Sequence, residues 1–153
     1  SLDARMFETI GRLQVPYILT HIQGTPQNMQ VNPVYKDVVR DVSADLSESV
    51  RKLTSLGVND ILIDPGFGFS KTMEQNYSIL KNLQTFTFYG KPLLVGISRK
   101  SMVYKALGST PEDVLPGTVA LQTIALLKGA SILRVHDVAA AVQSISVLEM
   151  MDI

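Results

Sequence analysis

Four short apolar runs in this chain each stop at a cluster of polar residues. Tyr17-Ile18-Leu19 stops at Thr20-His21, and Ile61-Leu62-Ile63 stops at Asp64-Pro65-Gly66-Phe67-Gly68-Phe69. Leu93-Leu94-Val95-Gly96-Ile97 stops at Ser98-Arg99-Lys100-Ser101, and Ile132-Leu133 runs into Arg134-Val135-His136-Asp137. Runs this short, apolar throughout and set between longer segments of helical period, predict parallel strands covered on their faces by helices. The strands are expected at about 17–20, 61–64, 93–97 and 132–135.

The helical segments carry their own punctuation. Met6, Phe7, Ile10 and Leu13 form a stripe over about 4–13, which Pro16 ends. A loop rich in Gln, Gly, Thr, Pro and Asn covers 23–33; it is long for a strand-to-helix connection, and long ordered loops are usually functional. Val38, Val42, Leu46, Val50 and Leu53 predict a helix over about 34–56, with Gly57 as a left-handed stop. Thr72-Met73-Glu74-Gln75 reads as a capping box, and the helix beyond it is expected to turn Met73, Tyr77, Leu80 and Leu83 inward. After Ser98 a short helix is expected, ended by Gly108. Thr110-Pro111-Glu112-Asp113 reads as N-cap, first-turn proline and acidic first turn, with Pro116-Gly117 interrupting the helix that resumes to Leu127. Asp137 is expected to cap a last helix reaching about Met150.

This alternation, without linker or repeat, fits two architectures: a small doubly wound open sheet, or half of a (β/α)8 barrel, whose usual length is ~250 residues. Four strands, a leading helix with no strand before it and a first residue that is not Met favour the half barrel, and suggest a piece of a longer protein. In either case all four polar clusters lie at one strand end, where α/β proteins bind ligands.

Composition narrows the chemistry. The 153 residues are 46% hydrophobic and 18% charged, with a formal net charge of zero at pH 7, so bulk electrostatics gives no argument for nucleic acid or an acidic membrane surface. There is no cysteine, which excludes disulfides and thiolate metal sites. No apolar run approaches the ~20 residues a bilayer demands, and no secretory leader opens the chain, so a cytoplasmic location is expected.

Asp64-Pro65-Gly66-Phe67-Gly68-Phe69 is the sharpest signal. A carboxylate at a strand end can accept paired hydrogen bonds from an amino-heterocycle. The glycines allow close backbone approach, and Phe67 and Phe69 can stack on a flat ring or close a pocket. The bland alternative is a turn followed by core phenylalanines. Ser98-Arg99-Lys100-Ser101 follows a strand and opens a helix, a natural anion site. Its alternative is a solvated cap, although cations at a helix start are disfavoured by the dipole and need a partner. Arg134 and His136 alternate onto one strand face and can grip phosphate. The alternative for Arg134 is an internal ion pair with Asp64 or Asp137. His21 alone is more often structural than catalytic. No Ser/His/Asp triad, His-x-x-x-His pair, dinucleotide fingerprint or phosphate loop is present.

These segments together resemble dihydropteroate synthases. Residues 17–30 are similar to that family's Leu-Met-His-Met-x-Gly-x-Pro-x-x-Met segment, with Thr20 and Ile22 where it usually has methionines. Residues 64–71 are similar to its Asp-Pro-Gly-Phe-Gly-Phe-x-Lys segment, with Asn76 and Leu80 following in step. Residues 94–102 are similar to its Val-Gly-x-Ser-Arg-Lys-Ser segment. Leu115-Pro116-Gly117-Thr118 and Arg134-Val135-His136-Asp137-Val138 match in order and spacing.

The resemblance implies the second half, strands five to eight, of one pterin-binding (β/α)8 barrel over residues 1–153. It implies condensation of 6-hydroxymethyl-7,8-dihydropterin pyrophosphate with para-aminobenzoate. By the same resemblance Asp64 would grip the pterin's amino-pyrimidine edge and Lys100 would hydrogen-bond the pterin, with Gly96 and Phe69 completing that pocket. Arg134 would pack on the pterin face and, with His136, bind the departing phosphates, while Ser101 would hold the aminobenzoate carboxylate. Asp64, Lys100 and Arg134 are the expected catalytic groups. Magnesium is the implied cofactor, with its usual ligand outside this chain, as are further pterin-binding residues and two mobile loops. No metal ligand is expected within the chain. Two alternatives stand: a pterin-binding barrel transferring a methyl group from methyl-tetrahydrofolate to a corrinoid, and a non-catalytic fragment. Unpaired sheet edges and an open apolar face lead to an expectation of self-association, with the chain alone inactive.

Overall fold

The computed structural model describes Asp3, residues 5–24 and residues 34–151. Most of the loop expected at 23–33 lies outside the described residues. The order of elements is α1 (Met6–Leu13), β1 (Tyr17–Thr20), α2 (Val38–Ser55), β2 (Ile61–Asp64), α3 (Met73–Lys81), a 3-10 helix (Leu83–Tyr89), β3 (Leu94–Val95), α4 (Ser101–Tyr104), α5 (Leu115–Leu127), β4 (Ile132–Leu133) and α6 (Val138–Glu149).

All pairing is parallel. β1 lies beside β2 with Tyr17 opposite Ile61 and Thr20 opposite Asp64. β3 lies beside β4 with Leu94 opposite Ile132. A bridge between Ile63 and Leu93 joins the two pairs, and the Ile63 N–H donates to the Pro92 carbonyl at 2.9 Å. Each strand therefore sits beside its neighbours in the chain, in the order β1-β2-β3-β4. A doubly wound sheet reverses its order at a switch point; a barrel does not. The order decides for the barrel sector.

The period of two sorts the strand residues onto two faces. Leu19, Ile61, Ile63, Leu93, Val95 and Ile97 are buried against the helices, where Val42, Leu46 and Leu53 of α2, and Ile79, Leu80, Leu83 and Phe86, fill the same core. The other face carries Ile18, Leu62, Leu94 and Ile132, and it is open at its two outer strands: Ile18 is 49% exposed and Ile132 37%, while Leu94 between them is buried. Along that same face, toward the strand ends, come Thr20, Asp64, Gly96, Arg134 and His136.

The local signals explain the helices. Asp37 caps α2, its carboxylate accepting from the Val39 and Arg40 amides at 3.0 and 3.1 Å. The Thr72–Gln75 capping box forms in full. Leu80 and Leu83 are buried and Tyr77 packs on the core as expected, with Asn76 and Ile79 buried beside them, but Met73, on the first turn, is 38% exposed. Thr110 opens a turn closed by Asp113, not a helix. Pro116 lies in the first turn of α5, where its missing N–H costs no bond, so it starts the helix instead of interrupting it.

Candidate pterin-binding site

The loop after β2 is the centre of the site. Asp64 is buried, and its two oxygens are already oriented: Oδ1 accepts from the Gly66 N–H at 2.8 Å and Oδ2 from the Thr20 hydroxyl at 3.2 Å. Each carboxylate oxygen keeps further acceptor capacity, so a planar donor pair can still dock on it. Gly66 has φ +74°, and a Cβ there would lie 2.0 Å from the His21 carbonyl oxygen, so no side chain fits. The two phenylalanines divide. Phe67 is buried in the core, which corrects its expected place in the pocket, whereas Phe69 stays partly open and faces a cleft.

That cleft, about 300 Å³, is lined by Phe69, Gly96, Ser98, Lys100, Arg134 and His136 among others. Lys100 donates from Nζ to the Phe67 carbonyl, and its ammonium sits 4.7 Å above the Phe69 ring centroid. Burial lowers its pKa to about 8; the charge of Asp64 works against that fall and Arg134 adds to it. Gly96 lets the Arg134 guanidinium lie on the backbone: a Cβ there would be 2.9 Å from Nη2. His136 meets the buried Ser98 hydroxyl through Nδ1 at 2.9 Å. Ser101 opens α4, a helix of four residues.

The cations sort differently from their sequence reading. Arg99, at φ +54°, also lines the cleft but is held in a two-pronged pair with Asp137, Nε–Oδ2 2.9 Å and Nη2–Oδ1 2.6 Å. This is the partner its place before a helix required. Asp137 therefore makes no side-chain cap for α6, which corrects that expectation. Arg134 pairs with neither Asp64 nor Asp137, and among the described residues it has no ion pair.

Lys71 and His21 are the residues that sequence reasoning passed over as site members. Lys71 Nζ donates to the Gly66 and Phe69 carbonyls at 3.0 Å each and lies 3.1 Å from His21 Nδ1. Burial lowers Lys71 to about 7, against the pull of Asp64. His21 falls to about 4, first through burial and then through Lys71, so its 3.2 Å contact with Asp45 is a hydrogen bond of a neutral ring, not an ion pair. The only sequence signal was Lys71's position at the end of the glycine–phenylalanine segment.

A sequence family described as pterin binding enzyme matches residues 1–136. The chain belongs to this pterin-binding family. It is 42% identical to the dihydropteroate synthase of Haemophilus influenzae over 140 residues, which is 90% of this chain and 51% of that protein. It is 40% identical to the Escherichia coli enzyme over 144 residues, 93% of the chain and 51% of the relative. The Yersinia pestis dihydropteroate synthase, solved with a sulfonamide drug, superposes with a TM-score of 0.91 at 38% identity, covering 95% of this chain and 54% of that one. The Thermus thermophilus enzyme, solved with 6HMPPP, gives 0.91 at 37% identity, with 97% and 60% covered. The chain thus spans about half the length of these relatives, and its fold is half of their (β/α)8 barrel.

Proposed function

We propose that this chain supplies the pterin-binding, C-terminal side of a dihydropteroate synthase barrel. The observation that carries the reading is one cleft lined by Gly96, Lys100, Arg134 and His136, with Asp64 close enough for its charge to act on Lys100, in a chain whose relatives bear that name. Asp64 accepts from the amino-pyrimidine edge. Lys100, bonded to the Phe67 carbonyl, offers a further proton to a pterin acceptor, and Phe69 bounds the ring. Arg134, free of a protein carboxylate, lies on the pterin face and reaches the pyrophosphate with His136. Ser101 accepts the role of holding the para-aminobenzoate carboxylate.

In this reaction the bond between the pterin methylene carbon and the pyrophosphate oxygen breaks, and its electron pair leaves with pyrophosphate. The arylamine nitrogen then bonds to that carbon and gives up a proton. Arg134, His136 and Lys100 stabilise the negative charge that grows on the leaving group, which is the main catalytic contribution expected of such a site. Among the described residues no group of three or more His, Asp or Glu side chains could hold a metal ion, so magnesium enters no step assigned to this chain. None of the described helices is long and apolar enough to cross a membrane.

The chain alone is proposed to self-associate through its open face, with exposed Ile18 and Ile132 as the driving surface. The test of function is binding of 6-hydroxymethyl-7,8-dihydropterin pyrophosphate by calorimetry, with 7,8-dihydropteroate formation assayed after adding para-aminobenzoate and magnesium. Binding that Lys100→Ala and Arg134→Ala each weaken is expected, with little or no turnover by the isolated chain. Binding that both substitutions leave unchanged would sink the assignment of the cleft.

A further inference from the structure

We infer that Lys71 is a positioning residue for the pterin site: its ammonium clamps the β2–α3 loop in the shape that presents Asp64 and Phe69. This rests on the function proposed above and extends it to a residue with no expected contact to substrate.

The loop is conformationally costly. Gly66 and Ser70 both have positive φ, and Gly66 has no room for any side chain, so the chain must fold back sharply on itself there. Such a turn brings carbonyls inward that need donors. The Phe69 N–H reaches the Gly66 carbonyl at 3.2 Å, and Lys71 supplies the other donors. An ammonium has three protons, and three acceptors receive them: the Gly66 carbonyl, the Phe69 carbonyl and His21 Nδ1. No donor is left over for a ligand, which separates Lys71 from Lys100 in kind.

The third acceptor extends the clamp to the surface. With Nδ1 accepting from Lys71, the neutral His21 ring carries its proton on Nε2 and donates it to Asp45 on α2. His21 follows β1, so one line of hydrogen bonds ties β1, α2 and the loop after β2. Ser70 adds a second tie: its hydroxyl accepts from the Gln23 N–H at 3.1 Å, and its carbonyl accepts from Tyr35 Oη at 3.0 Å.

Lys100 spends one proton on the Phe67 carbonyl and keeps others for a pterin acceptor. Lys71 has no such reserve and serves the loop alone. Burial lowers its pKa to about 7, so the three-proton clamp is complete below that pH and binding is measured there.

The test exploits the absence of cysteine from the sequence. Lys71→Met and Lys71→Cys should each weaken binding of 6-hydroxymethyl-7,8-dihydropterin pyrophosphate about tenfold, as losing roughly one net hydrogen bond to a charged group would. Alkylating the single thiol of the Lys71→Cys variant with bromoethylamine rebuilds an ammonium of nearly the same reach and should return most of the affinity. A rescue of this kind is not expected from a residue that merely fills space. Wild-type affinity in Lys71→Met, or no recovery after alkylation of a folded variant, would overturn the inference. If the unsubstituted chain binds no pterin, the proposed function fails instead, and Lys71 is judged without ligand. Nitrogen-15 spectra should then show His21 Nδ1 and the Gly66–Phe69 amides shifting in Lys71→Met. Unshifted resonances would overturn the clamp.

Discussion

Gly96→Ala separates the site from the scaffold with one methyl group. Gly96 is buried on the inner face, yet its backbone is not in the left-handed region, so alanine suits its φ. The added Cβ would lie 2.9 Å from Arg134 Nη2, 3.0 Å from Nε and 3.4 Å from Cζ. The first of these is roughly 0.6 Å inside the optimum for such a contact. Every atom it meets belongs to the end of one exposed side chain that has no ion pair among the described residues. Arg134 can swing away at little cost, and stability should hold or rise by about 0.4–1 kcal/mol from the lost freedom of the unfolded chain. Ligand binding should respond in the opposite sense. The guanidinium loses its stacked position, a contact of about 0.5–2 kcal/mol, which is a loss of about 2- to 30-fold in affinity. Thermal melts and calorimetric titration with the pterin pyrophosphate measure the two effects on one sample. In an Arg134→Ala background the same methyl should cost much less, since the group it displaces is gone. A melting point several degrees lower together with unchanged affinity would refute the packing of Arg134 on Gly96.

Lys100 gives a pH dependence with a defined sign. It is charged below about 8 in the folded chain, so affinity for the pyrophosphate ligand should fall as pH rises through about 8, and Lys100→Met should lack that limb. Its effect on stability runs the other way. The folded pKa lies below the unfolded 10.5, so the unfolded chain binds more protons between those values and stability gains from Lys100 as pH rises across that window. Urea midpoints of wild type and Lys100→Met on either side of pH 8 test this difference. Thr72→Ala removes the capping box of α3 and should cost about 1 kcal/mol, read as a melting point about 3 °C lower with pterin affinity unchanged.

What the sequence made legible follows from the range of the forces involved. The α2 stripe, the Gly57 stop and the Thr72–Gln75 box are decided within a few residues, and each is present where the pattern places it. The strand ends are decided by neighbours. β3 and β4 pair over two residues each, shorter than the strands expected at 93–97 and 132–135, and beyond them the Arg134 N–H donates to the Val95 carbonyl and the His136 N–H to the Ser98 hydroxyl. The polar partners were the least legible. Arg99 needed a counter-charge by its place in the chain, but only the parallel register of β3 and β4 brings Asp137 to it, 38 residues on. Phe67 and Phe69 are equivalent as text; the loop's positive-φ turns send one into the core and leave the other at the cleft. Lys71 reads as the tail of a motif until the fold delivers His21 from 50 residues earlier.

The balance of charge in the cleft gives a reason to expect anion binding on this face although the chain as a whole is neutral. Arg99 and Asp137 cancel each other in a direct pair and leave no field to offer. Lys71 and Lys100 both interact with the one carboxylate of Asp64, so two cations share a single counter-charge. Each has a lowered pKa, first through burial, with a smaller push from a neighbouring cation, Lys100 on Lys71 and Arg134 on Lys100. Arg134 adds a further cation. A bound pyrophosphate would supply the missing negative charge beside Arg134 and His136, and would raise the pKa of Lys100 toward its ordinary value. The arrangement therefore favours an anion in the bound state and ties its departure to the return of an unbalanced positive cleft.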